Sequence, residues 1–516
     1  MIEVFHRDKC RKMDQEAINQ YGIPSIVLME NAARGIFEDI YYKWDSFLIL
    51  CGKGNNGGDG LALARHLAIE GKNVKVVIIS KDENYSQDFK TNFDIIRRIL
   101  DNDKITYIKN ENDITEEFIK DLTYYDVIID GIFGVGLNRK LDFWIQNLIC
   151  CINKYGKYIV SLDVPSGLDC NLGVELDIAV KAKITYTFEV IKRGFLNYNA
   201  FKFIGKVKII KIGIPQVVRK NNSDNLYILE NEEYKNIIPS RKLYGHKGDY
   251  GRALIVAGSK GFSGAAYITT ECTIRAGAGL VTLACKEEIQ DILAEKLIEA
   301  MTVSCESSKF GSIIEKSDSI AFGPGIGTDK YEEELLHEVI DKSKCPIVID
   351  ADGITILAKN KGMLEELKDR AIITPHPGEM ARLLGLTVSE VESDRIRIAS
   401  EFAKKYGIIV LLKGYNTIIT DGNNTYINPT GNSKMASGGM GDALTGIINA
   451  FISQKVNILD AALIGAYIHG YIADKLSKEV YILNARDIIN EMPRVINDIC
   501  LKEKNKSPLS FIIVIK

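Results

Sequence analysis

FLILCGKGNNGGDGLALARHLAIE, residues 47–70, sets a short apolar run, a glycine-rich segment and a helix-length stretch end to end. The order predicts a strand, a tight turn and a helix. Runs of the same kind recur outward from it. In the first half strands are predicted at 47–51, 74–80, 126–130, 158–163, 184–188 and 207–212, with helix-length segments such as 61–71 and 87–100 between them. Strands that are apolar on both faces and separated by helices imply a parallel sheet covered on both sides. The pattern loosens over 213–247, which holds Pro215, Pro239 and the polar run 219–225, so a domain boundary is expected near residue 220. A second α/β series follows, with strands predicted at 253–257, 280–284, 319–322, 347–350, 371–374 and 408–412. The tail, 510–515, reads as a late edge strand or a packed terminus. There is no low-complexity tract and no fixed-period repeat.

The length of 516 residues calls for two or more domains, and 46% hydrophobic content is enough to build their cores. With 65 Lys+Arg against 68 Asp+Glu the net charge is −3, which gives no electrostatic reason to expect a nucleic-acid or anionic-membrane partner. Ten cysteines without a CxxC pair fit neither a disulfide scaffold nor a zinc site, and a reducing, cytoplasmic location is the simpler expectation. The N-terminus, MIEVFHRDKCRKMDQEA, lacks the apolar stretch of a signal peptide. No run of about 18 apolar residues occurs, so no transmembrane helix is expected.

The glycines at 52, 54 and 57 formally match GxGxxG. A dinucleotide-binding fingerprint of that kind also wants an acid about 20 residues on, at the end of the next strand, and that strand ends at Ser80 and Lys81. A phosphate loop ending in GK[ST] is absent too. What remains is an anion site: backbone N–H groups at a helix N-terminus, with Asn55, Asn56 and Asp59 adding polar side chains that a simple turn does not require. Two further loops, 130–138 and 161–169, follow predicted strands that end in Asp130 and Asp163. One such acid is an ordinary loop cap. Two, each followed by a glycine-containing loop at a strand C-terminus, suggest one convergent site.

GIPSIVLMENAAR (22–34), GKGNNGGDGLALARHL (52–67), DGIFGVGL (130–137) and SLDVPSGLD (161–169) occur in order, and the first half resembles the NAD(P)HX epimerase family, the YjeF N-terminal domain, over roughly residues 1–214. The resemblance implies a Rossmann-like domain. It implies that Asn55, Asn56, Gly57, Gly58 and Asp59, with Gly134, Val135, Gly136, Leu137, Asn138, Arg139 and Lys140, hold the hydrated nicotinamide nucleotide. It also implies a potassium ion at Asn56, Asp130 and Ser166, and Asp163 beside the reacting ring as acid/base. Val135 stands where the family usually has Thr, which removes one hydroxyl from the loop.

In the second half the densest motif is NPTGNSKMASGGMGDALTG (428–446). Small residues at 436–439 and at Gly441 leave backbone N–H groups open before a helix, and Asp442 at its mouth is placed to accept a proton from a substrate hydroxyl. A helix N-cap is the plainer role for Asp442, but it does not explain the glycines. GGxGD with an upstream NxxG resembles the ribokinase-like superfamily. Residues 246–284, GPGIG (323–327), VIDADGI (348–354), TPHPGEMARLLG (374–385) and LLKGYNTIITDG (411–422) narrow the resemblance to the ADP/ATP-dependent NAD(P)H-hydrate dehydratases. It implies contacts to the hydrated nucleotide from Ala265, Gly325, His376 and Asp442, the last as catalytic residue. The adenine nucleotide, ADP in preference to ATP, is expected along Lys413, Gly414, Tyr415, Asn416, Thr417 and Gly441. Glu379 is a candidate for holding Mg²⁺ through water; Asp350 and Asp352 are given no catalytic role.

Together these readings describe an α/β chain of two three-layer αβα domains, 1–214 Rossmann-like and 225–516 ribokinase-like. The implied substrates are NADHX and NADPHX, the hydrates of NADH and NADPH, and the implied assembly is a homo-oligomer. An epimerase would supply a dehydratase that reads only one epimer at C6. In the expected dehydration Asp442 takes the C6 hydroxyl proton, the hydroxyl takes a phosphoryl group, and phosphate then leaves under the push of the ring nitrogen. Epimerisation would proceed by ring opening or reversible loss of the hydroxyl, with Asp163 shuttling protons. A vitamin-precursor kinase shares GGxGD but explains neither TPHPGE nor the first half. A ligand-sensing first domain is disfavoured by intact Asn56, Asp59, Asp130 and Asp163.

Overall fold

The computed structural model describes residues 1–501 and 511–513. They fall into two compact units that part between Asp224 and Asn225.

The first unit is built on an eight-stranded sheet in the order Phe511–Ile513, Lys206–Ile210, Ile184–Phe188, Ile159–Leu162, Val127–Gly131, Ser46–Gly52, Asn73–Ile79 and Ile105–Ile108. Every pairing is parallel except that of the Phe511–Ile513 strand. That strand belongs to this unit, so 225–516 is too long a span for the second; residues 510, 514 and 515 of the expected tail strand lie outside the described residues. Side chains alternate across the sheet: Phe47, Ile49 and Cys51 join one apolar core, Leu48 and Leu50 the other. Two cores on one sheet make three layers.

The predicted glycine loop is already helix. It runs Asn55–Ile69, with Gly54 as N-cap. Glycines are poor helix formers, so packing must hold them there. A Cβ on Gly57 would stand 1.8 Å from the Gly52 carbonyl oxygen, and one on Gly58 would meet the Met29 side chain at 2.6 Å. The first turn is thus pressed onto the strand that precedes it, and only glycine permits the approach.

The second unit carries the strand order Met301–Ser304, Leu280–Cys285, Arg252–Val256, Ser319–Phe322, Ile347–Ile349, Ala371–Ile373, Ile409–Leu412, Thr417–Thr420, Thr425–Asn428 and Leu226–Ile228. Its first seven strands pair in parallel, and the next two form an antiparallel extension. Its main core is formed by the helices Met440–Ser453, Ile458–Leu476 and Ala485–Leu501 against the sheet.

In each sheet the chain reverses its direction of travel once. The reversal lies between Ser46–Gly52 and Val127–Gly131 in the first unit, and between Arg252–Val256 and Ser319–Phe322 in the second. Ligands of open α/β sheets bind outside the strand C-termini at such points. No helix among the described residues is long and apolar enough to cross a membrane.

Candidate active sites

Beyond Gly52 and Gly131, at the reversal in the first unit, lies a cavity of about 690 Å³. Its walls bring together Asn55, Asn56, Asp59, Gly134, Val135, Gly136, Leu137, Asn138, Arg139 and Asp163. Gly57, Gly58 and Lys140 do not line it: the two glycines face protein in the packing described above, and Lys140 is exposed.

Asp163 is held in an unusual way. Its φ is +60°, in the left-handed region that Asp tolerates better than most residues. It forms a 2.7 Å ion pair with Lys192, both side chains being buried. Lys192 also donates to the Phe188 and Val190 carbonyls at 3.0 and 3.4 Å, so its three protons are all engaged. Burial alone would lower the pKa of Lys192, but the charge of Asp163 and the hydrogen bond to it, with Cys10 and Asp14 adding, together outweigh it and the net shift is upward. The other Asp163 oxygen accepts from the Val135 N–H at 3.4 Å, tying it to the glycine loop.

The Arg7–Asn19 helix supplies a wall that the sequence reading overlooked: Arg11 and Asp14, three residues apart on one face, line the cavity. Arg11 donates to the Gly136 carbonyl at 3.2 Å. Burial, with Asp163 and Glu189 adding and Lys192 opposing, pushes Asp14 up to about 7. Asp59 is also raised well above the usual carboxylate range, by burial and then by Asp163.

Asp130 is fully buried and bonded only to neutral donors. Ser161 Oγ donates at 2.8 Å, Ser166 Oγ at 2.5 Å and the Ser166 N–H at 2.9 Å. Burial raises its pKa in spite of them. Asn56 Oδ1 and Nδ2 are buried without a hydrogen-bond partner. An unpaired buried amide and a buried carboxylate with no cation among its bonded partners are each costly as they stand. A monovalent cation reaching Asn56 Oδ1 and Asp130 would pair that oxygen and balance that charge.

In the second unit a cavity of about 420 Å³ is lined by Lys413, Gly414, Tyr415, Asn416, Thr417 and Gly441, together with the 428–433 turn. Arg395 fixes the floor by donating to the carbonyls of Leu412, Lys413 and Tyr415. The Met440–Ser453 helix begins here with Gly439, φ +87°, as its N-cap. Asp442 is therefore the third helical residue and does not cap. Burial, and then Asp350, push Asp442 up to about 6, with Lys413 opposing. A Cβ on Gly441 would stand 3.3 Å from Lys413 Nζ, so that ammonium lies at the amide end of the helix, where an anion is doubly favoured.

Asp350, left without a role by the sequence reading, anchors this cluster. Lys413 Nζ donates to it at 2.7 Å and Thr445 Oγ1 at 2.9 Å. Burial raises Asp350, but Lys413 and the hydroxyls of Thr374 and Thr445 together outweigh it and hold the carboxyl below its usual range. Glu379 lies 3.9 Å from Lys413 and is raised by burial. His376 caps the Pro377–Leu384 helix: its Nδ1 accepts from the N–H groups of Gly378 and Glu379 at 3.0 and 3.3 Å. The acceptor role assigns the proton to Nε2, and burial and Lys413 lower the pKa, so the ring is neutral. Ala265 and Gly325 meet at the strand-order reversal, where a Cβ on Gly325 would be 3.2 Å from the Cβ of Ala265.

Comparison with known proteins gives a concordant pattern. The family described as YjeF-related protein N-terminus matches residues 25–194, and the family described as NAD(P)H-hydrate dehydratase matches residues 253–494. A protein of Moorella thermoacetica named bifunctional NAD(P)H-hydrate repair enzyme Nnr is 36% identical over 95% of this chain and 95% of its own. A protein of the same name from Escherichia coli K12 is 31% identical over 96% of this chain and 94% of its own. Among solved structures, a ribokinase-like superfamily protein from Enterococcus faecalis V583 superposes with a TM-score of 0.50 at 26% identity, over 54% of this chain and 97% of its own.

Proposed function

Because the chain belongs to the family of bifunctional NAD(P)H-hydrate repair enzymes, we propose that it restores damaged coenzyme: residues 1–214 interconvert the R and S hydrates of NADH and NADPH, and the second unit dehydrates the S hydrate using ADP, with ATP as a possible alternative. The observation that carries the reading is the pair of cavities, each set at a helix N-terminus beside a largely buried aspartate.

In the first cavity Asp163, ion-paired with Lys192, is the base nearest the glycine loop, and Asp14, pushed up to about 7, is a group able to hold a proton near neutral pH. A base and a proton donor in one cavity suit loss and return of a hydroxyl at C6. A potassium ion fits the oxygens of Asn56, Asp130 and Ser166, and its chemistry would be to balance the Asp130 charge. Its expected signature is thermal: K⁺ raises the melting temperature of the wild-type chain relative to Li⁺, and Asn56→Leu abolishes the difference. Equal melting in both salts would remove the ion from the scheme.

In the second unit Asp442 accepts the C6 hydroxyl proton. The hydroxyl oxygen takes a phosphoryl group from the nucleotide, whose far phosphate rests against Lys413 and the helix N-terminus. Phosphate then leaves C6, a proton leaves C5, and the reduced ring is regenerated with AMP as by-product of ADP. Mg²⁺ would be an ion carried by the nucleotide phosphates, with Glu379, 3.9 Å from Lys413, as a carboxylate able to meet its waters. Cysteine usage supports a cytoplasmic location, because all ten are free thiols. Homo-oligomer formation rests on the resemblance alone, and the near-neutral charge is what argues against a nucleic-acid partner.

The test is to incubate separated NADHX epimers with the full chain and ADP, ATP or no nucleotide, and to follow them by chromatography. Both epimers should be recovered as NADH only with nucleotide, and should interconvert without it. A stable phosphoester as end product would instead mark a kinase.

A further inference from the structure

The Ile458–Leu476 helix carries Ala466, His469 and Gly470 at i, i+3 and i+4, and all three line the cavity that holds Lys413 and Gly441. The helix is fastened to the facing turn. Asn428 Nδ2 donates to the Ala466 carbonyl at 3.1 Å, Thr430 Oγ1 donates to the Tyr467 carbonyl at 3.2 Å, and Asn432 Nδ2 donates to Asp474 at 2.9 Å. A Cβ on Gly470 would lie 2.3 Å from Thr430 Oγ1, so helix and turn are in contact. His469 is therefore a fixed part of the wall, only 8% exposed.

Its Nε2 has no hydrogen-bond partner. Buried polar atoms are nearly always paired, and an exception calls for a missing ligand or water. Burial, with Lys413 adding, lowers its pKa to about 4, so the ring is neutral at physiological pH and offers one donor and one acceptor. The lining mixes the apolar Met440, Leu444 and Ala466 with the polar Asn428, Thr430 and Asn432 of the facing turn. A neutral donor–acceptor suits a neutral polar group better than a phosphate. The phosphate end is marked by the Lys413 ammonium and the helix amides.

We propose that His469 is a specificity-determining residue that hydrogen-bonds the nucleoside part of the adenine nucleotide, its base or its ribose. The inference rests on the assignment of this cavity to the nucleotide.

The experiment is calorimetric titration of the full chain with ADP and, separately, with inorganic pyrophosphate, for wild type, His469→Phe and His469→Asn. His469→Phe should weaken ADP about tenfold or more and leave pyrophosphate unchanged, while Asn keeps part of the affinity. Without ligand, the Phe variant should melt at or above the wild-type temperature, because an unpaired polar atom has been removed. A merely structural histidine would give the reverse: lower melting and equal ADP affinity. Equal ADP affinity in the Phe variant overturns the proposal, as does equal weakening of ADP and pyrophosphate. If Phe does not fold, His469→Ala takes its place, and either of those two results in the Ala variant overturns the proposal in the same way. Failure of the wild type to bind ADP would instead sink the nucleotide assignment itself, and this inference with it.

Discussion

Asp442→Asn should slow nucleotide-dependent recovery of NADH from its hydrate by about a hundredfold to ten-thousandfold, the usual contribution of a positioned base, and leave epimer exchange untouched. Asp442 sits inside the first turn of the Met440–Ser453 helix without capping it, beside the Lys413–Asp350 pair. Its pKa of about 6 is set first by burial and then by repulsion from Asp350. A base must be ionised, so the wild-type rate should fall as pH drops through about 6, and the residual rate of the Asn variant should not show that limb. Stability should move the other way. The folded pKa lies above the unfolded one, so between the two the folded state holds the extra proton and stability falls as pH rises through that window. Above it, the ionised carboxylate remains a cost. At pH 8 Asp442→Asn should thus melt no lower than wild type while being nearly inactive. Retained turnover would end the role given to Asp442; lost turnover with lost stability would reduce it to scaffolding.

The second large effect is expected at Asp163. Asn is among the few residues that accept a φ of +60°, so Asp163→Asn tests charge without forcing the backbone. Epimer exchange should slow by about a hundredfold or more. The variant also leaves the buried Lys192 without its ion-pair partner, with carbonyls and the Asp14 carboxyl left to answer its charge. Breaking a buried ion pair from one side typically costs about 3–5 kcal/mol. Activity and stability would then fall together, which by itself decides nothing. The double variant Asp163→Asn with Lys192→Met separates them. Removing both charges should return much of the stability measured by denaturant titration, and none of the exchange. Recovery of exchange in the double variant would show that Asp163 serves only to neutralise Lys192.

Where local pattern and packing agree, the sequence read well. The apolar runs at 184–188 and 319–322 have those same bounds as strands in the structure. Elsewhere tertiary contacts decided. The 55–60 segment looks like a loop because glycine disfavours helix, and it becomes helix because the missing side chains let it press on Gly52. The strands Ile105–Ile108 and Met301–Ser304 lie at sheet edges, where one-sided burial relaxes the apolar pattern. The hairpin Thr417–Thr420 and Thr425–Asn428 was hidden inside a segment read for its ligand role, although its Asp421–Gly422 step is a turn signal. Many of the motif residues line the two cavities, but Gly57, Gly58 and Lys140 stay outside the first, and Ala265, Gly325, His376 and Asp442 outside the lining of the second. Those brought in from afar, Arg11, Asp14, Lys192 and His469, have no local signature.

The separateness of the two cavities bears on how flux would run. Every residue lining the first belongs to the first unit, and every residue lining the second to the second unit. No side chain is shared, so neither catalyst needs the other to be whole. Two chains, each crippled at a different centre, should therefore complement one another when mixed.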